Sequence, residues 1–213
     1  MRDLLSTKRT IRLSAWVVAG ILAITFLVIY IRLHAEVAIS HFRPPNNIDS
    51  EEASRKIEIF NKAVLINKKG HVKLTETEIN SRVLLKHILK YDDENETLRL
   101  KKYRVKIVDD HTISIIAWIE GPIYGFQRSL VWTRTYQYEG GSTLEHLKLT
   151  SMQVGKVTIS NRFQPIITAR LARIDQRFQS SLEWLRGVPR FEIHADPNEK
   201  EPYLKLYTFA ENH

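Results

Sequence analysis

The chain has 213 residues, 43% of them apolar and 26% charged, with a net charge of +8 and no cysteine. The composition is that of an ordinary globular chain, and without cysteine neither a disulfide framework nor a thiolate metal site can exist. About 180 residues follow the N-terminal apolar stretch, enough for one domain with a real core and short for two.

The first predicted element is that stretch. Residues 14–31 run from Ser14 to Ile31 without a charge, broken only by the hydroxyls of Ser14 and Thr25. As a helix it would span roughly 27 Å at ~1.5 Å per residue, close to the hydrocarbon core of a bilayer. Trp16 and Tyr30 stand near its two ends, where amphipathic aromatics favour the headgroup level. Residues 1–13 carry Arg2, Lys8, Arg9 and Arg12 against Asp3, so the positive-inside bias puts this tail in the cytoplasm and the bulk of the chain outside it. A cleaved signal peptide fits less well than an uncleaved signal anchor. Leu33-His34-Ala35 is a poor small-residue site, and the apolar run exceeds the ~7–15 residues of a signal.

Residues 32–48 read as a membrane-proximal linker, with Pro44-Pro45 and Asn46-Asn47 favouring extended and turn backbone. A helix follows in the domain of residues 49–213. Asp49 or Ser50 can cap it, and Ala53, Ile57, Phe60 and Val64 form one apolar stripe. Asn67 to Gly70 is a turn, and Val72 and Leu74 alternate with polar residues as in a short strand. Thr75 and Glu78 have the spacing of a capping box, opening a second helix with Ile79, Val83, Leu84, Ile88 and Leu89 on one face. The acidic run Asp92 to Glu96 ends it.

From Leu98 to about Ile159 the period becomes alternating. Leu98, Leu100, Tyr103, Val105 and Ile107 form one strand, with a bulge expected at Lys101-Lys102 where the phase shifts. Asp109-Asp110 turns into a strand from Thr112 to Ile119 that Gly121-Pro122 ends. Phe126 to Tyr138 is a third strand, and Gly140-Gly141 a hairpin signal. Leu144 to Ile159 reads as a fourth with a phase break. Strands joined by tight turns imply an antiparallel meander. Pro165 then opens a long amphipathic helix, with Ile167, Leu171, Ile174, Phe178, Leu182 and Leu185 on one face and Arg170, Arg173 and Arg177 alongside, ended by Gly187 and Pro189. Arg190 to His194 and Tyr203 to Phe209 close the chain as a hairpin.

Two stretches carry a resemblance: Leu74-Thr-Glu-Thr-Glu-Ile-Asn80 and Val154-Gly-Lys-Val-Thr-Ile-Ser160. Together they resemble uncharacterised bacterial membrane-anchored or lipoprotein families grouped with the tubular lipid-binding, TULIP-like, superfamily. Those families start a helix with "L-T-x-x-E-h-N" and end a strand with "G-x-h-x-h-P" before a long helix; here Ser160-Asn161 stands where the Pro would be. The resemblance implies a curved antiparallel sheet wrapped round a long helix and a tendency to hold lipid or another apolar ligand. It implies no enzyme and no cofactor.

The residues themselves show no catalytic set. The eight histidines never pair at i+2 or i+4, and no Gly-x-Ser-x-Gly elbow or Gly-rich phosphate loop exists. Asp92 to Glu96 lacks the spacing of a calcium loop. Glu78 and Asn80 serve a cap and a helix edge. Basic residues crowd Arg99 to Lys106 and the last helix, where they suit anionic lipid headgroups better than nucleic acid if the domain faces away from the cytoplasm.

These features give an α+β protein with an N-terminal transmembrane helix, two helices, a curved antiparallel meander, a long amphipathic helix and a C-terminal hairpin. The expected role is a single-pass, extracytoplasmic binding module of a bacterial inner membrane, without enzymatic activity, metal or cofactor. Trp118, Trp132, Met152, Ile167, Leu171, Ile174 and Phe178 are the candidates to line an apolar site, and Arg170, Arg173 and Arg177 to meet lipid headgroups. The alternative is an assembly component of the envelope that docks on a protein partner through an edge strand or the aromatic-rich third strand.

Overall fold

A computed structural model describes residues 2–34, 46–88, 99–123, 126–139, 147–172, 174, 176, 188–196 and 198–209. The backbone begins with helix α1, Arg2–His34, so the basic tail is helical too. From Trp16 to Leu33, α1 is long and apolar enough to cross a membrane, and none of that stretch is buried in the protein. Inside it, Thr25 Oγ1 donates to the Ile21 carbonyl at 2.8 Å, so the helix satisfies its own hydroxyl.

Helix α2 spans Asn47–Leu65 and buries the expected stripe of Ala53, Ile57 and Phe60. Its cap differs from the expected Asp49 or Ser50. Asn46 fills that place, its Oδ1 accepting the Asp49 N–H at 2.8 Å. Ser50 is already one turn inside, donating its own N–H to the Asn46 carbonyl. Strand β1, His71–Thr75, leads directly into helix α3, Glu76–Ile88. The capping box forms as read: Glu78 N–H donates to Thr75 Oγ1 at 3.2 Å and Thr75 N–H to Glu78 Oε2 at 2.9 Å.

Strands β2 (Arg99–Asp109), β3 (Thr112–Ile123), β4 (Phe126–Tyr138), β5 (Leu147–Val154) and β6 (Val157–Thr158) form one antiparallel sheet in chain order. The bulge falls between Leu100 and Lys102, where the doubled lysine shifted the pattern. Two expectations need correction. Strand β3 does not stop at Gly121 but runs on to Ile123, with Pro122 opposite Gln127. Described pairing with β2 ends at Arg99–Glu120, so the missing Pro122 N–H breaks no described ladder bond on that side. The fourth stretch slips phase twice, at a bulge between Leu149 and Ser151 opposite Thr135 and Tyr136, and at a turn at Gly155-Lys156 that separates β5 from β6. The hairpin signal at Gly140-Gly141 lies outside the described residues.

Helix α4 is regular over Gln164–Arg170, with Pro165 in its first turn and Leu171 as its C-cap. Helical backbone recurs at Ala172, Ile174 and Gln176, and the expected continuation over 177–187 lies outside the described residues. Strands β7 (Arg190–His194) and β8 (Tyr203–Tyr207) pair as the expected hairpin. Strand β1 adds to it, giving a second sheet in the order β1-β8-β7.

One core joins both sheets, and its seam is the edge of β2. There the Asn80 side chain behaves like a strand partner. It donates from Nδ2 to the Val105 carbonyl at 2.8 Å and accepts the Val105 N–H on Oδ1 at 2.7 Å. One turn earlier, Glu76 Oε2 accepts the Ile107 N–H at 2.8 Å. An edge that would template aggregation is thus closed by side chains of α3. Tyr138 ties β4 to β7, its hydroxyl donating to the Phe191 carbonyl at 3.0 Å with the two rings 4.5 Å apart.

Asn80 is 2% exposed, so its loss cannot be repaired by water. Asn80→Ala leaves the Val105 N–H and C=O unpaired and should cost about 3 kcal/mol, from ~1–3 kcal/mol for each buried group left without a partner. Urea unfolding followed by tryptophan fluorescence checks this; a loss under about 0.5 kcal/mol would show that the side chain is not part of the sheet edge.

Candidate binding surface and the seat of helix α1

The β1-β8-β7 sheet has two unlike faces, because successive side chains alternate. Inward, Val72, Leu206 and Phe191 form one row and Leu74, Leu204 and Ile193 the next. Outward the rows are His71–Tyr207–Arg190, Lys73–Lys205–Glu192 and Thr75–Tyr203–His194. The outer face therefore mixes cations with aromatic rings.

Its side chains hold one another. Glu192 is the hub: Arg190 Nη2 lies 2.5 Å from Oε1, while the Tyr207 hydroxyl donates to Oε2 at 2.7 Å and His194 Nε2 lies 3.2 Å from it. The Arg190 guanidinium and the Lys205 ammonium each sit 4.9 Å from the centre of the Tyr207 ring. Lys73 lies 4.4 Å from the Tyr203 ring, which stacks on His194 at 4.8 Å. Lys69 reaches over Phe209 at 5.5 Å. Such contacts fix long side chains at ~0.5–1 kcal/mol each at exposed sites. Burial raises the Glu192 carboxyl, but the hydrogen bonds from Tyr207 and His194 and the charge of Arg190 outweigh it and hold the group below the ordinary carboxylate range. The Tyr207 hydroxyl beside Lys205 raises the ammonium above its usual value.

A second construction lies where α1 meets the domain. The β5–β6 turn packs against the last turn of α1. Lys156 N–H donates to the Arg32 carbonyl at 2.9 Å, and Gly155 N–H to the Val131 carbonyl of β4 at 2.7 Å. Gly155 has φ +57°, and a Cβ there would lie 2.5 Å from the Arg32 oxygen and closer still to that of Leu33. Glycine is thus required twice, by backbone conformation and by the approach of the helix end. The Leu33 side chain packs on the core.

The apolar residues expected to line a ligand space are only partly brought together. Trp132, with Val154 and Ala117 as cross-strand neighbours, and Met152 share the inner face of the large sheet and are 1% and 0% exposed. Ile174 is 2% exposed, and Ile167 and Leu171 pack half-buried against the same core. Trp118 is on the opposite face, since its neighbour Ala117 is the residue that pairs with Trp132; Lys102 lies 5.3 Å from its ring. The Arg170 side chain and all of Arg173, Arg177 and Phe178 lie outside the described residues.

One residue of the inner face escaped the sequence reading. Arg134 is 6% exposed on the row Val105–Ile115–Arg134–Met152, its guanidinium 4.3 Å from the Trp132 ring centre and 5.9 Å from that of Tyr136. Burial pushes the neighbouring Tyr103 hydroxyl up, far from ionisation. The small-sheet face was missed as well, although its signal is present: Tyr203, Lys205 and Tyr207 alternate, as do Arg190, Glu192 and His194. Among the described residues no cluster of His, Asp and Glu is placed to hold a metal. Comparison with known protein families, characterised proteins and solved structures finds no match.

The depressed Glu192 group makes a signed prediction. Its stabilisation is complete above the unfolded value of about 4.3 and is lost as the pH falls through the lower folded value. The stability gap between the native chain and Glu192→Gln should be widest at pH 6–7 and begin to shrink below about pH 4.3, the unfolded value. Urea unfolding at a series of pH values measures it; a gap unchanged down to pH 3 would show that the carboxylate charge does not hold the face together.

Proposed function

We propose that this chain is a single-pass membrane protein with its N-terminus in the cytoplasm and its α+β domain on the extracytoplasmic side, working as a binding module at the surface of a bacterial inner membrane. The observation that carries the reading is the pairing of an apolar helix exposed along most of its length with a built seat for its C-terminal end. An exposed face this large has a cost in water and none in lipid. The seat supports an anchor retained in the mature protein, because cleavage near residue 34 would leave the hairpin turn shaped for a helix end that had gone. The basic residues before the span support the sidedness.

As to what is bound, the geometry supports the surface more than the interior. A lipid chain held between the large sheet and α4 needs open space against Trp132 and Met152, and these are only 1% and 0% exposed. The inner side chains therefore support the use of that region as packed core, with α4 as its cover. The second reading, docking on an envelope protein, is favoured by α2 and its C-cap, where Ile59, Leu65 and Ile66 are 52%, 81% and 71% exposed.

The absence of native cysteine makes sidedness directly measurable. Val108, 49% exposed on β2, and Lys8 in the tail are each replaced by Cys. Intact spheroplasts are then treated with a membrane-impermeant maleimide. Val108→Cys should label fully and Lys8→Cys only after lysis. Labelling of Lys8→Cys alone would reverse the topology, and labelling of neither would place both ends inside.

A further inference from the structure

We propose that residues 162–166, which lead into α4, rest on an anionic bilayer surface beside the end of α1. Phe163 and Ile166 enter the boundary between headgroups and acyl chains, and Lys156 and Arg162 meet the headgroups. This contact rests on the reading of α1 as a retained membrane anchor, and it adds which side of the domain faces the lipid.

The seat leaves no linker between span and domain. Arg32, whose carbonyl takes the Lys156 N–H, falls inside the apolar window Trp16–Leu33. With that window in lipid, the β5–β6 turn stands at the bilayer surface, and so does what lies next to it. Helix α1 meets the domain at β4 and β6. After β6 the chain is held close. Ile159 N–H donates to the Met152 carbonyl at 2.8 Å, and Phe163 N–H to the Ser160 carbonyl at 2.9 Å. Two peptide steps and one such turn keep Phe163 within about 15 Å of Thr158, short beside the ~40 Å breadth of a domain of this size.

Among the described residues outside α1, the large apolar side chains more than half exposed are Ile48, Ile59, Leu65 and Ile66 on α2 and its C-cap, and Phe163 and Ile166. Helix α2 packs on α3 and β1, whereas residues 162–166 come soon after β6, which α1 meets. Phe163 and Ile166 are 55% and 58% exposed and lie three residues apart, on one face of a helical turn. Ile167 and Leu171 pack on the core instead. Charge separates the two patches further. Residues 146–174 hold five cations and no acid, and Arg32, Lys156 and Arg162 are exposed. Apolar side chains mixed with cations alone fit an anionic lipid surface, the first entering the acyl boundary and the second taking the headgroups. Helix α2 carries exposed Glu51 and Glu58, carboxylates that such headgroups repel. Gln164 Nε2 donates to Asn161 Oδ1 at 2.9 Å, so the turn is set before it meets lipid and little entropy is lost on contact.

The test uses the full chain in nanodiscs of phosphatidylcholine and phosphatidylglycerol with brominated acyl chains, which quench a fluorophore that reaches them. With no native cysteine, the single variants Ile24→Cys, Leu65→Cys, Val108→Cys and Ile166→Cys each carry one environment-sensitive label. Ile24 lies within the span and tests the anchor by itself. The expected result is quenching at Ile24 and, by about half, at Ile166, with Leu65 and Val108 unquenched. Adding Phe163→Glu, or Lys156→Gln with Arg162→Gln, should cut the quenching at Ile166 about twofold, as should replacing phosphatidylglycerol by phosphatidylcholine. Circular dichroism checks that these surface changes leave the fold intact. Quenching at Ile24 without quenching at Ile166 would overturn the contact and leave the anchor standing. No quenching at Ile24 would overturn the anchor and the contact with it. Quenching at Leu65 in place of Ile166 would put α2 on the bilayer, and an Ile166 label shielded from water yet unquenched would put a protein there; either would overturn the proposal.

Discussion

A helix ends in carbonyl groups without intrahelical donors, and the remainder of this molecule depends on how the C-terminal end of α1 is met. Here the donor is the Lys156 N–H of a hairpin turn, given to the Arg32 carbonyl at 2.9 Å. The approach is close enough that only glycine fits at position 155. Because Gly155 is itself bonded to Val131 of β4, the helix end is fastened to a sheet and not to a loop. Helix α1 and the large sheet are thereby one construction.

The same logic of closing exposed backbone recurs at β2. A long antiparallel sheet has two edges, each a row of unpaired donors and acceptors. In this chain one edge ends in a strand of two residues at β6, too short to recruit a partner. The other is covered by Glu76 and Asn80, which stand in for a neighbouring strand at Ile107 and Val105. Both side chains belong to the first turn and a half of α3, whose position is set by the capping box and by the Lys56–Glu78 pair at 2.5 Å. Burial raises the Glu76 carboxyl, and the Ile107 N–H opposes that shift. Asn80 and Glu76 thus close the stretch of β2 around Val105 and Ile107 and tie α3 to the large sheet.

Local signals were legible and distant pairings were not. The apolar span, the α2 stripe, the Thr75–Glu78 box, the Lys101-Lys102 bulge and the order of the meander all follow from spacings of a few residues. Strand β1 pairs with β8 across more than a hundred residues, and no local pattern announces that register. It is this pairing that assembles His71, Lys73, Lys205 and Tyr207 on one face. The Gly155-Lys156 turn looked like a phase slip because β6 contributes only two residues after it, too few to show as a strand. Trp118 was grouped with Trp132 by composition, whereas the register sets them on opposite faces. Arg134 could not be foreseen, since an alternating strand offers no sign that a cation will lie inward between two aromatic rings.

The central claim, that the helix end is seated on the hairpin, is most directly tested by hydrogen exchange of the Lys156 amide. The full chain is reconstituted in nanodiscs and its backbone amides are followed by NMR. The seat predicts that Lys156 N–H exchanges as slowly as Gly155 N–H and the amides of the central strands. A Lys156 amide that exchanges at the rate of an open two-residue turn, while Gly155 stays protected, would contradict it.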